Sequence, residues 1–344
     1  MEGAVQIVHS RRRFLSQIGA TGVAGLGGVG AAGLGGGARS LAAEPPPEIT
    51  TIRLEKAPVT CLAPQYVADA LLRAEGFTDI RYLTSDKEAP TQAVAHHELD
   101  WDLDFAPSVI AEVDDGAPVT MIAGVHAGCF ELFAHDNIRR ITDLRGRTVG
   151  WFSGYATPRH LVSLMAKFVG LDPNQDIHWV DVPNPIDLFM DRKIDAFLAS
   201  APKAQELRDR KVGHSIVNSS TDRPWSQYFC CMLMGRTEFV QKYPIATKRV
   251  LRAILKATDL CANEPERMAR LMVEQGFTPR YDYALRSLQE LPYGVWRDYD
   301  PEDTVRFYSL RLNEAGFIKS VPQRIIAEHT NWRFLNELKR ELKT

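Results

Sequence analysis

"TVGWFSGYATPRHLVSLMAKFVG", residues 148–170, predicts the fold more directly than any other stretch of this chain. A short apolar run over residues 148–152 is followed by a polar loop and then by Thr157 and Pro158. Proline suits the first position of a helix, because its missing N–H would have no partner there. Gly170 is placed to end that helix in a left-handed turn. Apolar side chains share one helical face at Leu161, Leu164, Met165, Phe168 and Val169.

The same order of strand, proline and helix occurs five times along the chain. The predicted strands cover residues 51–57, 101–105, 148–152, 178–182 and 194–199. The proline steps that follow them are Ala63-Pro64, Ala106-Pro107, Thr157-Pro158, Asn184-Pro185 and Ala201-Pro202. Strands that alternate with helices form βαβ units, so the predicted fold class is α/β with mainly parallel sheets. Ligands of such sheets bind at the carboxyl ends of the strands, where the helices begin.

Composition excludes several classes of protein. The chain has 344 residues, of which 45% are hydrophobic and 24% charged, as in ordinary globular proteins. Without residues 1–43 it carries 37 basic and 42 acidic side chains, a net charge of −5 that argues against nucleic acid as a partner. The sequence has no Walker loop, no GxSxG elbow and no CxxC or HxxxH spacing, so we expect no metal and no cofactor.

The amino-terminal segment resembles an export signal. Residues 10–15, SRRRFL, are similar to the twin-arginine motif, and the uncharged run over residues 14–38 is too rich in Gly and Ala for a permanent membrane anchor. Small residues near Ala43 suit a cleavage site. The alternative is a disordered glycine-rich tail with chance arginines. We expect residues 1–43 to be a signal peptide, the twin-arginine translocase to be a transient partner, and the mature protein to be periplasmic.

The order of predicted elements indicates two lobes. We expect an outer lobe built from residues 48–136 and 223–344, and a second lobe inserted over residues 137–222. The chain then crosses between the lobes twice, and the two crossings form a hinge.

Most of the mature chain, and most densely residues 117–200, resembles solute-binding proteins of the nitrate/sulfonate/taurine (SsuA/THI5-like) family. The stretch that starts the second lobe of that family is matched at Ile141, Asp143, Leu144, Arg145, Gly146 and Arg147. Two further motifs are matched at Gly170, Leu171, Pro173, Ile194, Asp195 and Ala196, although Lys193 stands where glycine is usual. The resemblance implies a type II periplasmic binding protein fold, two α/β lobes joined by a two-strand hinge. It also implies a monomer that binds a small-molecule ligand and delivers it to an ABC permease in the inner membrane.

The loop before the helix at Pro158 is the first candidate for ligand binding. It offers hydroxyl groups, a flexible glycine and a cation in the first helical turn, at Ser153, Gly154, Tyr155, Thr157 and Arg159. Thr157 can also cap the helix. In the alternative, Ser153-Gly154 is an ordinary turn and Arg159 is a solvated surface charge.

Further candidates lie near other helix starts and near the crossings, at Gln65, Tyr66, Ser108, His126, Trp225 and Tyr228. The aromatic pair could stack on a planar ligand or fill the core of the hinge. Asp102 and Asp104 are two apart in a strand and therefore face the same side. They could form an acid–base pair, or one could be exposed while the other bonds to backbone amides.

Three functions remain open. The first is the binding component of an importer for a small anionic or aromatic solute, and the second is a sensor that docks on a membrane receptor. The third is an enzyme, because the thiamine-pyrimidine synthases of the same fold carry clustered cysteines near the position of Phe229-Cys230-Cys231. Here only two cysteines are adjacent, and neighbours in a strand point to opposite faces, so we expect small buried hydrophobic side chains and no catalysis.

Overall fold

The computed structural model describes residues 44–57, 59–85, 89–152 and 157–342. The predicted signal peptide, residues 1–43, lies outside this part of the chain. Residues from Pro45 onward form one compact unit. None of the helices in the described ranges combines the length and the apolar character needed to cross a bilayer.

Ten strands form two five-stranded sheets in the described ranges. They are β1 Thr51–Glu55, β2 Asp79–Leu83, β3 Trp101–Phe105, β4 Val119–Ala127, β5 Phe130–Ala134, β6 Arg147–Trp151, β7 Ile177–Asp181, β8 Ala196–Ser200, β9 His214–Asn218 and β10 Phe229–Arg236. The first sheet has the order β2-β1-β3-β10-β4 and the second has the order β7-β6-β8-β5-β9. Parallel strands make up most of each sheet, which confirms the α/β prediction.

Helices surround the two sheets. They are α1 Ala63–Tyr66, α2 Asp69–Ala74, α3 Pro90–Ala95, α4 Ala106–Asp114, α5 Thr157–Phe168, α6 Pro185–Met190, α7 Lys203–Arg210, α8 Thr237–Lys242, α9 Pro244–Asn263, α10 Pro265–Glu274, α11 Tyr281–Glu290, α12 Pro301–Glu314, α13 Pro322–His329 and α14 Arg333–Glu341. A helix begins within two residues of each predicted proline step. The helix that follows Ala63-Pro64 is divided into α1 and α2, because the backbone at Val67, with φ −88° and ψ 1°, leaves regular helical geometry.

Local signals at helix ends behave as expected. Gly76, Gly116 and Gly170 have φ values of +103°, +104° and +82°, in the left-handed region that glycine adopts without strain. Asn184 caps α6, since its Oδ1 accepts a hydrogen bond from the Ile186 N–H at 3.2 Å. The structure starts α5 at Thr157, so this residue lies inside the helix rather than at the cap position before it.

Replacing the Asn184 cap should weaken the fold measurably. Asn184→Ala leaves the Ile186 N–H without its acceptor and should lower the free energy of unfolding by about 1 kcal/mol. Asn184→Ser keeps an acceptor oxygen and should cost much less. Urea denaturation of both variants measures the difference, and equal losses would show that the cap contributes nothing.

The two sheets are built on the same plan. In each, an antiparallel strand occupies the fourth place in the order, β10 in the first sheet and β5 in the second. Each of these strands follows directly after the chain has crossed from one sheet to the other. The fold is therefore two α/β lobes joined by two crossing segments.

The first crossing comes earlier than the sequence indicated. β5 was expected in the outer lobe, before the boundary at residue 136, but it pairs along its length with β8 and β9 of the second sheet. The crossing is therefore the short link of Gly128 and Cys129. The second crossing, residues 219–228, contains the predicted boundary at 222. We propose lobe boundaries at these two segments.

Candidate ligand-binding site

A cavity of about 490 Å³ lies between the lobes. Its walls include the ends of β1, β3 and β8 and the segments that follow β6 and β7, at Glu55, Phe105, Ser200, Phe152 and Pro183. These are the carboxyl ends of parallel strands from both sheets, where open α/β sheets bind ligands. The volume is in the range of pockets that enclose small organic molecules.

The walls of this cavity are mainly apolar. Aromatic and aliphatic side chains from both lobes line it, at Val59, Leu62, Leu103, Phe105, Phe130 and Phe152. Phe105 of the first lobe and Phe130 of the second meet edge to face, with ring centroids 5.2 Å apart. Lys56 and Lys203 add one cation from each lobe. Such walls offer dispersion contacts to an apolar solute. The wall residues that the structure describes do not offer the set of hydrogen-bond donors that a small inorganic anion requires.

Asp102 lines the floor of the cavity and is 1% exposed. Its Oδ1 accepts a hydrogen bond from Gln65 Nε2 at 3.1 Å, whereas Oδ2 has no hydrogen-bond partner among the described residues. Burial raises the pKa of Asp102 well above its usual range, and the charges of Asp104 and Glu55 add to the effect. Asp102 therefore brings to the floor of the cavity a carboxyl group that is harder to ionise than an exposed aspartate and whose Oδ2 has no partner among the described residues.

Asp104 lines the same floor, as the alternation of side chains in a strand predicts. Its Oδ2 accepts from Thr91 Oγ1 at 2.8 Å and its Oδ1 accepts from the Phe105 N–H at 2.7 Å. Burial raises the pKa of Asp104 to about 7, although both hydrogen bonds favour the ionised form. Both carboxyl groups of the floor thus have pKa values above the usual range for aspartate.

Thiol groups form the rest of the floor. Cys61, Cys129 and Cys231 line the cavity, and the Sγ atoms of Cys129 and Cys230 are 2.7 Å apart. The prediction that Cys230 and Cys231 point to opposite faces was wrong. The pairing register of β10 with β4 shifts on both sides of Cys231, so a bulge turns both side chains towards Cys129. Both are buried, as expected.

Two candidates from the sequence, Gln65 and Tyr66, support the cavity from behind. Gln65 is fully buried and binds Asp102 and the carbonyl of Glu55. The hydroxyl of Tyr66 donates to the carbonyl of Ala57 at 2.6 Å. Neither side chain lines the cavity itself.

The aromatic candidates at the second crossing fill the core between helices. Tyr228 stacks on Phe307 with centroids 3.9 Å apart, and Trp225 is 3% exposed against Phe168 and Phe307. Neither lines the cavity. His126 is fully buried behind the thiols.

The candidate loop begins at the cavity. Phe152 lines the wall, and Ser153, Gly154 and Tyr155, which follow it, lie outside the described residues. Arg159 points elsewhere, since its guanidinium lies over the rings of Trp151 and Trp179 at 4.8 and 5.6 Å.

Contacts on two sides of the cavity join the lobes. Ser108 of α4 and Thr157 of α5 share a hydrogen bond between hydroxyls 2.6 Å apart. On the other side α7 is tied to α11, through the pairs Arg208–Glu290 at 2.6 Å and Arg286–Asp209 at 2.5 Å. The lobes are therefore in a closed arrangement around the cavity.

Two α/β lobes of this topology, closed on a cavity at their strand ends, define the periplasmic binding protein fold of type II. The profile of the NMT1/THI5-like family matches residues 73–268, more than half of the chain. The chain belongs to the NMT1/THI5-like family. A search of curated proteins finds no significant match.

Solved structures with this fold include binding proteins and an enzyme. The nitrate-binding protein NrtA of Synechocystis is 15% identical, with a TM-score of 0.71 over 86% of this chain and 90% of its own. The aliphatic sulphonate-binding protein SsuA of Escherichia coli is 16% identical, with a TM-score of 0.63 over 80% and 91%. The desulfurization enzyme DSZB is 15% identical, with a TM-score of 0.57 over 85% and 100%. The two binding proteins are thus the closer of these three in structure.

Proposed function

We propose that this protein is the periplasmic substrate-binding component of an ABC importer and that it binds a small organic solute between its lobes. The observation that carries the proposal is the cavity, to which the strand ends of both lobes contribute. A solute that contacts both lobes stabilises their closed arrangement, which is the form that a transporter can distinguish from the open one. Family membership and the binding proteins of the same fold support it.

The lining of the cavity favours an aromatic or largely aliphatic solute. Phe105, Phe130 and Phe152 offer apolar contact, while Asp102 brings to the floor a carboxyl oxygen that has no partner among the described residues. Lys203 is placed to meet an anionic group on the same solute. The loop of Ser153, Gly154 and Tyr155 remains part of the proposed site, together with Thr157, because Phe152 leads into it from the wall.

The remaining parts of the proposal concern location and partners. Arg11, Arg12 and Arg13 suit export by the twin-arginine translocase, and the mature chain would act as a periplasmic monomer. Its macromolecular partner is the permease of the importer. Binding without chemical turnover distinguishes this function from that of an enzyme with the same fold.

Phe152 offers a direct test of the solute site. It is 42% exposed, so Phe152→Ala should leave the unfolding of the solute-free protein unchanged. The variant should weaken solute binding about tenfold, equivalent to a loss of about 1.4 kcal/mol of apolar contact. The solute is first identified by thermal-shift screening against sulfonates, aromatic acids and pyrimidines, because a ligand of the folded state raises the melting temperature. Calorimetry then gives the dissociation constants.

Phe168→Ala is the matched control. Phe168 is 51% exposed on the same lobe but does not line the cavity. Its replacement should leave affinity unchanged. Equal affinities for wild type and Phe152→Ala would place the solute elsewhere, and conversion of the solute during the measurement would contradict a purely binding role.

A further inference from the structure

Four cysteines and one histidine from three distant parts of the chain meet at the floor of the cavity or directly behind it. They are Cys61, His126, Cys129, Cys230 and Cys231, each at most 6% exposed. One ligand atom from each of Cys61, His126 and Cys231 lies within 4.8 Å of the others. Zn–S bonds of about 2.3 Å place tetrahedral ligands roughly 3.8 Å apart, so only small side-chain shifts are needed to enclose an ion.

The hydrogen bonds of His126 prepare it to be a metal ligand. Its Nδ1 lies 3.2 Å from the carbonyl oxygen of Ala127 and 3.1 Å from that of Gly128. Carbonyl oxygens only accept, so Nδ1 carries the hydrogen. Nε2 has no hydrogen-bond partner in the described part of the chain, although it is fully buried. Metal-binding histidines characteristically donate their second N–H to a carbonyl or carboxylate in this way, and a buried nitrogen without a partner is otherwise costly.

The neighbouring elements hold the three side chains in place. The ring of His126 meets that of Tyr293 edge to face at 5.2 Å. The Tyr293 hydroxyl in turn donates to the carbonyl of Cys61 at 3.2 Å. Cys231 is directed towards the cluster by the bulge in β10. Ligands fixed by packing and by outer hydrogen bonds are what a preorganised metal site needs.

We propose that Cys61, His126 and Cys231 bind one zinc ion at the floor of the cavity. Two thiolates and one imidazole suit zinc, and three protein ligands leave a fourth position for a further ligand. Because Cys61 and Cys231 line the cavity, that position is open to the bound solute. A solute carrying a carboxylate, sulfonate or thiolate could complete the coordination sphere. Spacing along the sequence did not indicate this site, since its ligands are separated by 65 and 105 residues.

Metal binding can be measured without any solute, so its outcome is independent of the proposed transport role. The full-length protein is reduced, stripped of metal and titrated anaerobically with Zn²⁺ and, in parallel, with Co²⁺. We expect one bound zinc per chain by elemental analysis after gel filtration, and a higher melting temperature in its presence. Bound Co²⁺ should show the absorption of tetrahedral thiolate coordination. A chain that binds no zinc when fully reduced would overturn the proposal.

Single substitutions test the ligand assignment. Cys61→Ser and Cys231→Ser should each weaken zinc binding by at least about a hundredfold. Even the loss of a residue that only hydrogen-bonds to a metal ligand typically lowers metal affinity about ten- to a hundredfold. Cys261→Ser is the matched control, since Cys261 is fully buried in α9 and outside the cluster. This variant should bind zinc with the affinity of the wild type. Zinc binding that survives Cys61→Ser but is lost in Cys129→Ser would overturn the assigned ligands. If a variant does not fold, the Co²⁺ spectrum of the wild type still decides, because coordination without thiolates contradicts the proposal.

Discussion

Gly128→Ala should lower the free energy of unfolding by about 2–5 kcal/mol, since it disturbs both crossings between the lobes at once. Gly128 has a φ of +55°, and any residue with a Cβ is strained there by about 1–2 kcal/mol. A Cβ at this position would lie 2.3 Å from the Cα of Ser220, which belongs to the second crossing. Relieving that clash requires movement of the backbone, and overpacking of this kind costs a further 1–3 kcal/mol or so. Chemical denaturation of the purified variant measures the loss.

Gly146→Ala separates the two contributions. Gly146 has a φ of +71°, but a Cβ there would meet no described atom within 4 Å. This control therefore carries the conformational strain alone and should cost about 1–2 kcal/mol. If Gly128→Ala costs no more than Gly146→Ala, the close approach of the two crossings does not constrain the fold.

The second large effect is a gain of stability in Asp104→Asn as the pH rises. The pKa of Asp104 is about 7 in the folded protein and near 3.8 in an ordinary environment. At pH values below both pKa values, the carboxyl group is protonated in the folded and in the unfolded protein. It then makes no pH-dependent contribution to the stability difference between wild type and variant. Between these values the unfolded chain releases the proton while the folded protein keeps it, so the wild type loses stability as the pH rises. Asparagine does not titrate, and the variant should gain about 4 kcal/mol over the wild type by pH 7.

The comparison is best made on metal-free protein between pH 4 and pH 7. The titratable groups near Asp104 are Asp102, Glu112 and Cys231, and burial raises the pKa of Asp102 as well. Asp79→Asn serves as the control. Asp79 is exposed beside Arg81, whose hydrogen bond lowers its pKa, so its replacement should bring no gain as the pH rises. A stability difference between Asp104→Asn and wild type that is independent of pH would show that Asp104 ionises normally.

Both predictions concern features that a binding protein uses. The crossings allow the lobes to approach each other, and the raised pKa of Asp104 reduces the negative charge that an apolar solute meets at that carboxyl group. A constrained link at Gly128 and an Asp104 of raised pKa are therefore compatible with the function proposed for the cavity.

The sequence predicted those parts of the fold that depend on neighbouring residues. β3 has the predicted bounds, Trp101–Phe105, and α4 begins at the predicted step Ala106-Pro107. The preference for proline at helix starts and for left-handed glycine at helix ends depends on only a few neighbouring residues. The periodicity of apolar residues is likewise visible within one short segment of sequence. The break between α1 and α2 and the place of β5 were not predicted. The sequence of β5 is that of an ordinary apolar strand, and only the strands with which it pairs decide to which sheet it belongs.

For the site, the sequence alone predicted that a ligand binds at strand ends and helix starts, and it determined that Asp102 and Asp104 share a face. These follow from the geometry of single elements. Only the tertiary structure decided which side chains line the cavity. Phe130 and Lys203 carry no local signal, and Arg159 turned out to lie over two tryptophan rings. The thiols and His126 meet because three segments are brought together by the two crossings and the bulge in β10. Contacts between segments so far apart depend on the packing of the whole chain, which no short stretch of sequence contains.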